Sequence, residues 1–348
     1  MRGALTILGT RGVPSRFGGF ETLAEQLQSR LAIKEISVQV FSSIKQRSAS
    51  TSPTRVKYLE TLIGTWQSAR DVSIEFSGAM LVVNPVNVVT ALRLRRRGYR
   101  VAIHMDGRDD MRSKWPILIR MLYRWCQHLC VWSRIPLVFD SFAVRKEIGG
   151  RHPERHLVIT YGGCEACETS RSVWLDSGGQ RHFLVLARAE PENQITEAVR
   201  AVRAMLTQSR LSVVTTSRYQ GKYWHSLVRE VGRTNGAQLI DGVWDKEQLC
   251  SIYREVSAVI HGHSVGGTNP SLVLALCHGT PVLAHDNPYN REVAGSMARY
   301  WKDEAELTKL LDEFDPMTWP YDQDAVDDVN RRYNWDDVVE KYRQLLGL

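Results

Sequence analysis

His261-Gly-His-Ser-Val-Gly-Gly-Thr-Asn-Pro-Ser-Leu272 lies between the apolar stretch Ala258–Ile260 and a second apolar run that ends at Cys277-His-Gly-Thr-Pro-Val282. A strand that stops in a glycine-rich loop, with a helix starting behind Asn269-Pro-Ser271, points unpaired backbone N–H groups and a positive helix end at one spot. That spot suits a phosphate. An ordinary strand-to-helix turn, whose glycines only relieve backbone strain, fits the same residues.

A second glycine-rich turn sits at the other end of the chain, where Ala4–Leu8 runs into Gly9-Thr-Arg-Gly-Val-Pro-Ser-Arg-Phe-Gly-Gly-Phe-Glu21. The glycines at 9, 12, 18 and 19 do not fit the dinucleotide spacing, and no Lys-Ser/Thr follows to make a P-loop. Gly18 and Gly19 nonetheless open a helical pattern (Phe20, Leu23, Ala24, Leu27, Leu31), with Arg11 and Arg16 beside them. Two such loops, one in each half, point to two ligand-binding domains and a cleft.

At 348 residues the chain exceeds the size at which one core stops growing, so two domains are expected. No apolar run approaches the roughly 18 residues that span a bilayer, and the short apolar stretch after Met1-Arg2 does not resemble a cleaved signal. The expectation is a cytoplasmic protein. Charge is uneven: residues 1–150 carry 23 Lys and Arg against 11 Asp and Glu, the remainder 22 against 27. A basic half is compatible with nucleic acid, an anionic membrane surface or an acidic substrate. Part of the excess lies in Leu92–Arg100 and part on Trp115–Trp132, where Arg120 and Arg124 fall opposite Leu118, Leu122, Trp125 and Leu129. That pattern predicts a helix packed into the core by its apolar face, with a membrane-surface role as the alternative. Cys164-Glu-Ala-Cys167 lacks the partners of a zinc site, so no metal is expected, and Cys126, Cys130, Cys250 and Cys277 read as reduced structural thiols.

Short β-rich runs alternate with helical periodicity: strands at Ala4–Leu8, Ser37–Phe41, Ala79–Val83, Arg100–Ile103, Pro136–Phe139 and Leu157–Thr160, and again at Phe183–Ala187, Leu211–Thr215, Ala237–Ile240, Ala258–Ile260 and Pro281–Ala284. This predicts two doubly wound parallel sheets of Rossmann-like type. The boundaries read as an N-terminal domain 1–164, a linker 165–181, a C-terminal domain 182–332, and a terminal helix in 333–348 that packs back on the first domain. Residues 43–55 read as a polar loop. In such sheets ligands bind at the carboxyl ends of the strands, where both glycine loops lie.

Five stretches carry a resemblance: Gly9–Thr22 as quoted; Asp106-Gly107 with Arg112-Ser-Lys-Trp115; Arg188 with Pro191-Glu-Asn193; Gly262–Leu272; and His285-Asp-Asn-Pro-Tyr-Asn-Arg-Glu292. In this order they resemble the rhamnosyltransferase-like branch of the family 4 retaining glycosyltransferases, over nearly the whole chain. The resemblance implies a GT-B fold, with two Rossmann-like domains facing a cleft, the nucleotide sugar held by the C-terminal domain and the acceptor by the N-terminal one. It implies transfer of a deoxyhexose such as L-rhamnose from a dTDP sugar to a glycan or lipid-linked saccharide in cell-surface polysaccharide synthesis. No metal or cofactor is implied beyond the nucleotide-sugar co-substrate, and the enzyme would be cytoplasmic or peripheral on the inner face of the membrane. Arg188 would contact the donor diphosphate and Asn193 stands where many relatives carry a lysine. Asp106 would orient a hydroxyl, its other reading being an N-cap. The donor set would include Arg16, Gly18, Gly19, Glu192, Asn193, His261, His263, Gly267, Thr268, Asn269, Ser271 and Leu274. In retaining enzymes of this kind the leaving phosphate accepts the proton of the attacking hydroxyl, so positioning and charge stabilisation carry the rate.

The chain departs from the family at three places. The two family glutamates eight positions apart are Gly266 and Leu274 here, and Leu274 cannot accept the ribose hydrogen bond that a glutamate accepts. Arg108-Asp109-Asp110 replaces the apolar residues usual after Asp-Gly. These departures keep a catalytically silent, nucleotide-sugar- or partner-binding relative in view, and a sugar-nucleotide epimerase after it. A nucleic-acid binder ranks last, for want of any reading motif.

Overall fold

The computed structural model describes residues 3–14, 18–42, 65–70, 78–163, 180–215 and 221–348. Arg16, Cys164, Cys167, the polar stretch 43–55 and residues 165–179 of the expected linker lie outside the described residues. The chain divides into two compact units: Met1–Met111, Trp115–Tyr161 and Trp335–Leu348 form the first, and Arg112–Lys114 with Gly162–Asn334 form the second.

In the first unit, β1 (Ala4–Thr10), β2 (Ser37–Ser42), β3 (Ala79–Val83), β4 (Arg100–His104), β5 (Leu137–Phe139) and β6 (Leu157–Val158) lie in the order β2-β1-β3-β4-β5-β6, all parallel. Central β3 is buried throughout, as expected of a parallel strand with both faces covered. Helix Gly19–Ile33 buries Leu23, Leu27 and Leu31 against Leu5, Ile7 and Leu81. The terminal helix Trp335–Leu346 joins that cluster through Val338, Val339, Tyr342 and Leu346. Ion pairs Arg30–Asp336 and Lys34–Glu340, the latter at 2.9 Å, link the two helices.

The second unit repeats the plan. β7 (His182–Leu186), β8 (Arg210–Thr215), β9 (Ala237–Asp241), β10 (Ala258–His261), β11 (Val282–His285) and β12 (Ala298–Trp301) form a parallel sheet in the order β12-β11-β10-β7-β8-β9. Its two faces carry separate apolar clusters, one around Phe183, Val199, Leu211, Ile260 and Leu307, the other around Leu184, Val259, Leu272, Leu276 and Val282. Strand order reverses between β1 and β3 in the first sheet and between β7 and β10 in the second. In a doubly wound sheet each reversal opens a crevice at the carboxyl ends.

The eleven expected strands are present, and the sheets are parallel and doubly wound. β12 and the helices Pro288–Ala294 and Gln323–Arg332 were not expected. The reading of helix Ile117–Trp132 is inverted: Cys126, Gln127 and Cys130 are its buried residues, whereas Leu118 is 74% and Trp125 57% exposed. Arg120 and Arg124 turn toward Asp110, whose side chain is buried; Arg120 Nε donates to the Asp110 carbonyl at 2.8 Å and Arg124 Nη2 lies 3.6 Å from Asp110 Oδ2. Arg108 also grips Asp110 with two nitrogens, at 2.9 and 3.0 Å, and Gln127 Nε2 donates to it at 3.4 Å. The unusual Arg108–Asp110 stretch thus has a structural role, an internal charge hub. Cys126, Cys130 and Cys277 are buried free thiols, but Cys250 is disulfide-bonded, contrary to the expectation of reduced thiols throughout.

Candidate functional site

In the second unit Val259 of β10 pairs beside Leu184 of β7, so the two strands end side by side at the reversal. The turn after β7 carries Arg188, Glu190, Glu192 and Asn193, and the loop after β10 carries Gly262 to Asn269. A β-carbon on Gly262 would fall 2.4 Å from the Asn193 carbonyl oxygen. Only glycine lets the two backbones approach so closely. The loop is also fastened by Ser264, whose N–H and hydroxyl donate to the Glu192 carbonyl at 2.9 and 3.0 Å. From the other side, Asn287 Nδ2 and Asn290 Nδ2 donate to the His263 carbonyl at 2.8 and 3.0 Å.

Four buried polar atoms converge here without a hydrogen-bond partner among the described residues: Glu192 Oε1, Asn193 Oδ1, His261 Nε2 and His263 Nδ1. Native interiors rarely leave such groups unsatisfied, and a cluster of them marks a place for water, an ion or a ligand. The N–H groups of Val265, Gly266 and Gly267 likewise have no partner among the described residues. Around Gly266 a β-carbon would meet nothing within 4 Å, so the loop backbone is open on that side.

Three cations border the cluster. Glu190 lies 2.8 Å from Lys114 Nζ, 3.3 Å from Arg112 Nη1 and 3.5 Å from Arg188 Nη2. Glu192 Oε1 lies 3.8 Å from both Arg112 and Lys114. Burial alone would raise the Glu190 pKa, but Arg188, Lys114 and Arg112 outweigh it and hold the carboxyl at about 2. Burial pushes His261 down to about 3 and His263 well below the ordinary range, with His261, Arg112 and Arg188 adding to the latter. The two imidazoles stack, centroids 4.6 Å apart, as neutral rings.

The other expected donor residues fall into place differently. Asn269 caps helix Pro270–Cys277: its Oδ1 accepts from the Ser271 N–H at 3.0 Å and the Ser271 hydroxyl at 2.8 Å, so these two side chains satisfy each other. Thr268 is buried. Leu274 is half-buried against the apolar cluster of Leu272 and Leu276. Arg112, Lys114, Asn287 and Asn290 stand in the motifs quoted above without a role, and Glu190 lies between two of the residues quoted. Their signal was in the sequence, since all five lie within or beside the motifs already singled out.

The first unit holds Gly18, Gly19 and Asp106. Gly18 is extended and needs no glycine on conformational grounds; Gly19 starts its helix under the Tyr161 ring, which a β-carbon would meet at 3.0 Å. Asp106 adopts a left-handed φ of 56° at the carboxyl end of β4, and Asn84, after β3, has φ of 72°. Strained non-glycine residues of this kind concentrate at functional edges. Asp106 Oδ1 accepts from the adjoining Gly107 N–H at 2.9 Å, and its own N–H donates to His104 Nδ1 at 3.3 Å. It does not cap a helix, since the next helical turn starts at Asp109, and its contact with Gly107 is that of an Asp-Gly turn. His104, buried among Phe20, Tyr161 and Tyr342, is held down to about 3 by burial. No group of His, Cys, Asp and Glu suited to a metal occurs among the described residues.

No protein-family model matches the chain, and no curated protein matches it in sequence. Solved structures do match. Sucrose-phosphate synthase from Thermosynechococcus elongatus superposes with a TM-score of 0.78 at 15% identity, covering 99% of this chain and 98% of that one. Anabaena HepE in complex with UDP and glucose gives 0.70 at 14% identity, covering 99% and 100%. The UDP-forming trehalose-phosphate synthase from Burkholderia vietnamiensis gives 0.73 at 11%, covering 100% of both chains. The fold is GT-B. Identities this low establish the architecture and no more.

Proposed function

We propose that the chain is a retaining glycosyltransferase whose second unit binds the diphosphate of a nucleotide sugar at the β7/β10 reversal. The observation that carries this reading is the convergence there, among the described residues, of unpaired N–H groups, three cations and four buried polar atoms that lack a hydrogen-bond partner. A departing nucleoside diphosphate gains negative charge in the transition state. Fixed N–H groups and guanidinium groups that need no reorganisation stabilise it, most strongly where water is excluded. Arg188, with Arg112 and Lys114 beside it, supplies the cations, and Val265–Gly267 the N–H groups. The ring nitrogens of His261 and His263 and the Asn193 Oδ1 that lack a hydrogen-bond partner among the described residues are suited to sugar hydroxyls, as is Glu192 Oε1, whose nearest cations stand 3.8 Å away. In this reading the leaving phosphate takes the proton of the incoming hydroxyl, which attacks from the same face, so no protein base or nucleophile is called for, and the three cations offset the charge of the departing diphosphate. Asp106, strained at the edge of the first unit's sheet, is the candidate for holding an acceptor hydroxyl there. The neighbours support the class: one is bound to UDP and glucose and another is named as UDP-forming.

The donor is proposed to be dTDP-linked, with L-rhamnose the first sugar to try and a glycan or lipid-linked saccharide as acceptor. Leu274 carries the choice of nucleotide. A deoxyribose lacks the 2′-hydroxyl, so a site without the family carboxylate loses one fewer polar contact with dTDP than with UDP. Calorimetric titration should therefore favour dTDP, and Leu274→Glu should move the preference toward UDP by about 1 kcal/mol, the scale of one charge-assisted hydrogen bond. A drop in melting temperature with unchanged preference would sink the ribose reading and leave Leu274 a core residue. Assay of dTDP-rhamnose turnover separates an active transferase from a silent relative, which would bind nucleotide without turnover.

A further inference from the structure

The outward side of helix Ile117–Trp132 is a largely apolar face, with His128 the exposed polar residue on it. Ile117 is 70% exposed, Met121 62% and Trp132 77%, with Leu118, Leu122 and Trp125 between them and Met111 exposed just before the helix. Soluble chains rarely leave this many large apolar side chains on one helix face without a use for them. From Met111 to Phe139 there is no Asp or Glu. Arg124 stays 63% exposed beside the face although it lies 3.6 Å from Asp110, and Arg134, just past the helix, is exposed. At the helix's far end Arg95 Nη1 donates to the Ser133 carbonyl at 2.9 Å, which brings the exposed run Arg95-Arg-Arg97 to the rim of the face.

We infer that this helix is a membrane-insertion element, which lies flat in the interface of an anionic bilayer with Leu118, Met121, Trp125 and Trp132 among the acyl chains and the arginines on the lipid headgroups. The chemistry fits that partner: tryptophan favours the water–lipid interface, and arginine beside an apolar helix face attracts anionic lipid. No helix is long and apolar enough to cross a membrane among the described residues, so the contact is peripheral. The helix contacts Pro85–Asn87 and Asp109–Met111, which follow the carboxyl ends of β3 and β4. The bilayer therefore meets the sheet edge that carries Asp106. Insofar as it serves a lipid-linked acceptor the inference rests on the transferase reading; the binding itself does not.

Flotation of the purified chain with phosphatidylcholine vesicles, with and without phosphatidylglycerol, tests it. The chain should float with the phosphatidylglycerol vesicles at low salt. The double substitution Leu118→Gln, Trp125→Gln should reduce that binding ten-fold or more, and Arg96→Gln, Arg97→Gln should weaken it and flatten its salt dependence. Both variants alter exposed side chains, so melting temperature should hold. Nucleotide titration of the same samples reads the donor site separately, so either claim can fail alone. Absence of wild-type binding, or full binding by the apolar double variant, overturns the inference. A wild-type dimer that the Gln substitutions dissolve, with no capture by vesicles, also overturns it and assigns the face to a second copy of the chain.

Discussion

Gly262 lies against Asn193 so closely that a β-carbon on the glycine would stand 2.4 Å from the Asn193 carbonyl oxygen. This contact fixes the loop after β10 to the turn after β7 and so assembles the candidate donor site. Gly262→Ala forces one backbone to move, at a cost of about 1–3 kcal/mol, and should lower both melting temperature and nucleotide affinity. Gly266→Ala, four residues on, meets nothing within 4 Å. It should leave the melting temperature unchanged while weakening nucleotide binding, because the added methyl stands where a phosphate would approach the loop. Equal behaviour of the two variants in both measurements would argue against a backbone cradle.

Glu190 neutralises Arg112, Lys114 and Arg188 at distances of 2.8–3.5 Å. An incoming diphosphate competes with this carboxylate for the same three cations. Glu190→Gln should therefore tighten dTDP binding several-fold and lower thermal stability, because three like charges then lose their shared partner. Melting curves with and without nucleotide would display both effects, as a lower starting midpoint and a larger ligand-induced rise.

His104 and His261 drop from the ordinary 6.5 to about 3 on folding, through burial. Below pH 6.5 the unfolded chain takes up protons that the folded chain refuses. Stability is thus fully present above 6.5 and is lost as pH falls toward 3. Glu190, depressed from 4.5 to about 2 by its three cations, adds a second loss below pH 4.5. Urea midpoints should fall between pH 7 and 5, where only the histidines act, and His261→Asn should reduce that slope. A flat profile across that interval would contradict neutral burial of these imidazoles.

The sequence made the fold legible where burial is two-sided. Strands such as Ala79–Val83 and Ala258–His261 are unbroken apolar runs because helices cover both faces. β12 was missed because Ala-Arg-Tyr-Trp at an edge buries only its two ends, and helix Gln323–Arg332 because only Val326 and Val329 are buried in it. Periodicity revealed the apolar face of Ile117–Trp132 but not its direction. That was decided by Asp110, whose backbone carbonyl holds Arg120 and whose buried carboxylate faces Arg124, and no local pattern announces such a partner. Of the candidate site, the motifs located Arg188, Glu192, Asn193, His261 and His263 at one sheet edge. The ion pairs of Arg112 and Lys114 with Glu190, far apart in sequence, needed the fold.

Titration of dTDP and UDP into the wild-type chain and into Arg188→Ala, with melting curves of both, tests the donor site most directly. Arg188 is 38% exposed and, among the described residues, pairs with Glu190 alone, so its removal should spare the fold. The expected result is one nucleotide bound per chain, with dTDP favoured, and a loss of affinity of roughly 100-fold in Arg188→Ala at nearly unchanged melting temperature, the scale of one charge-assisted contact in a water-poor site. A wild-type chain that binds neither nucleotide, or an Arg188→Ala chain that binds as tightly as the wild type, would contradict the assignment of the β7/β10 reversal as the diphosphate site.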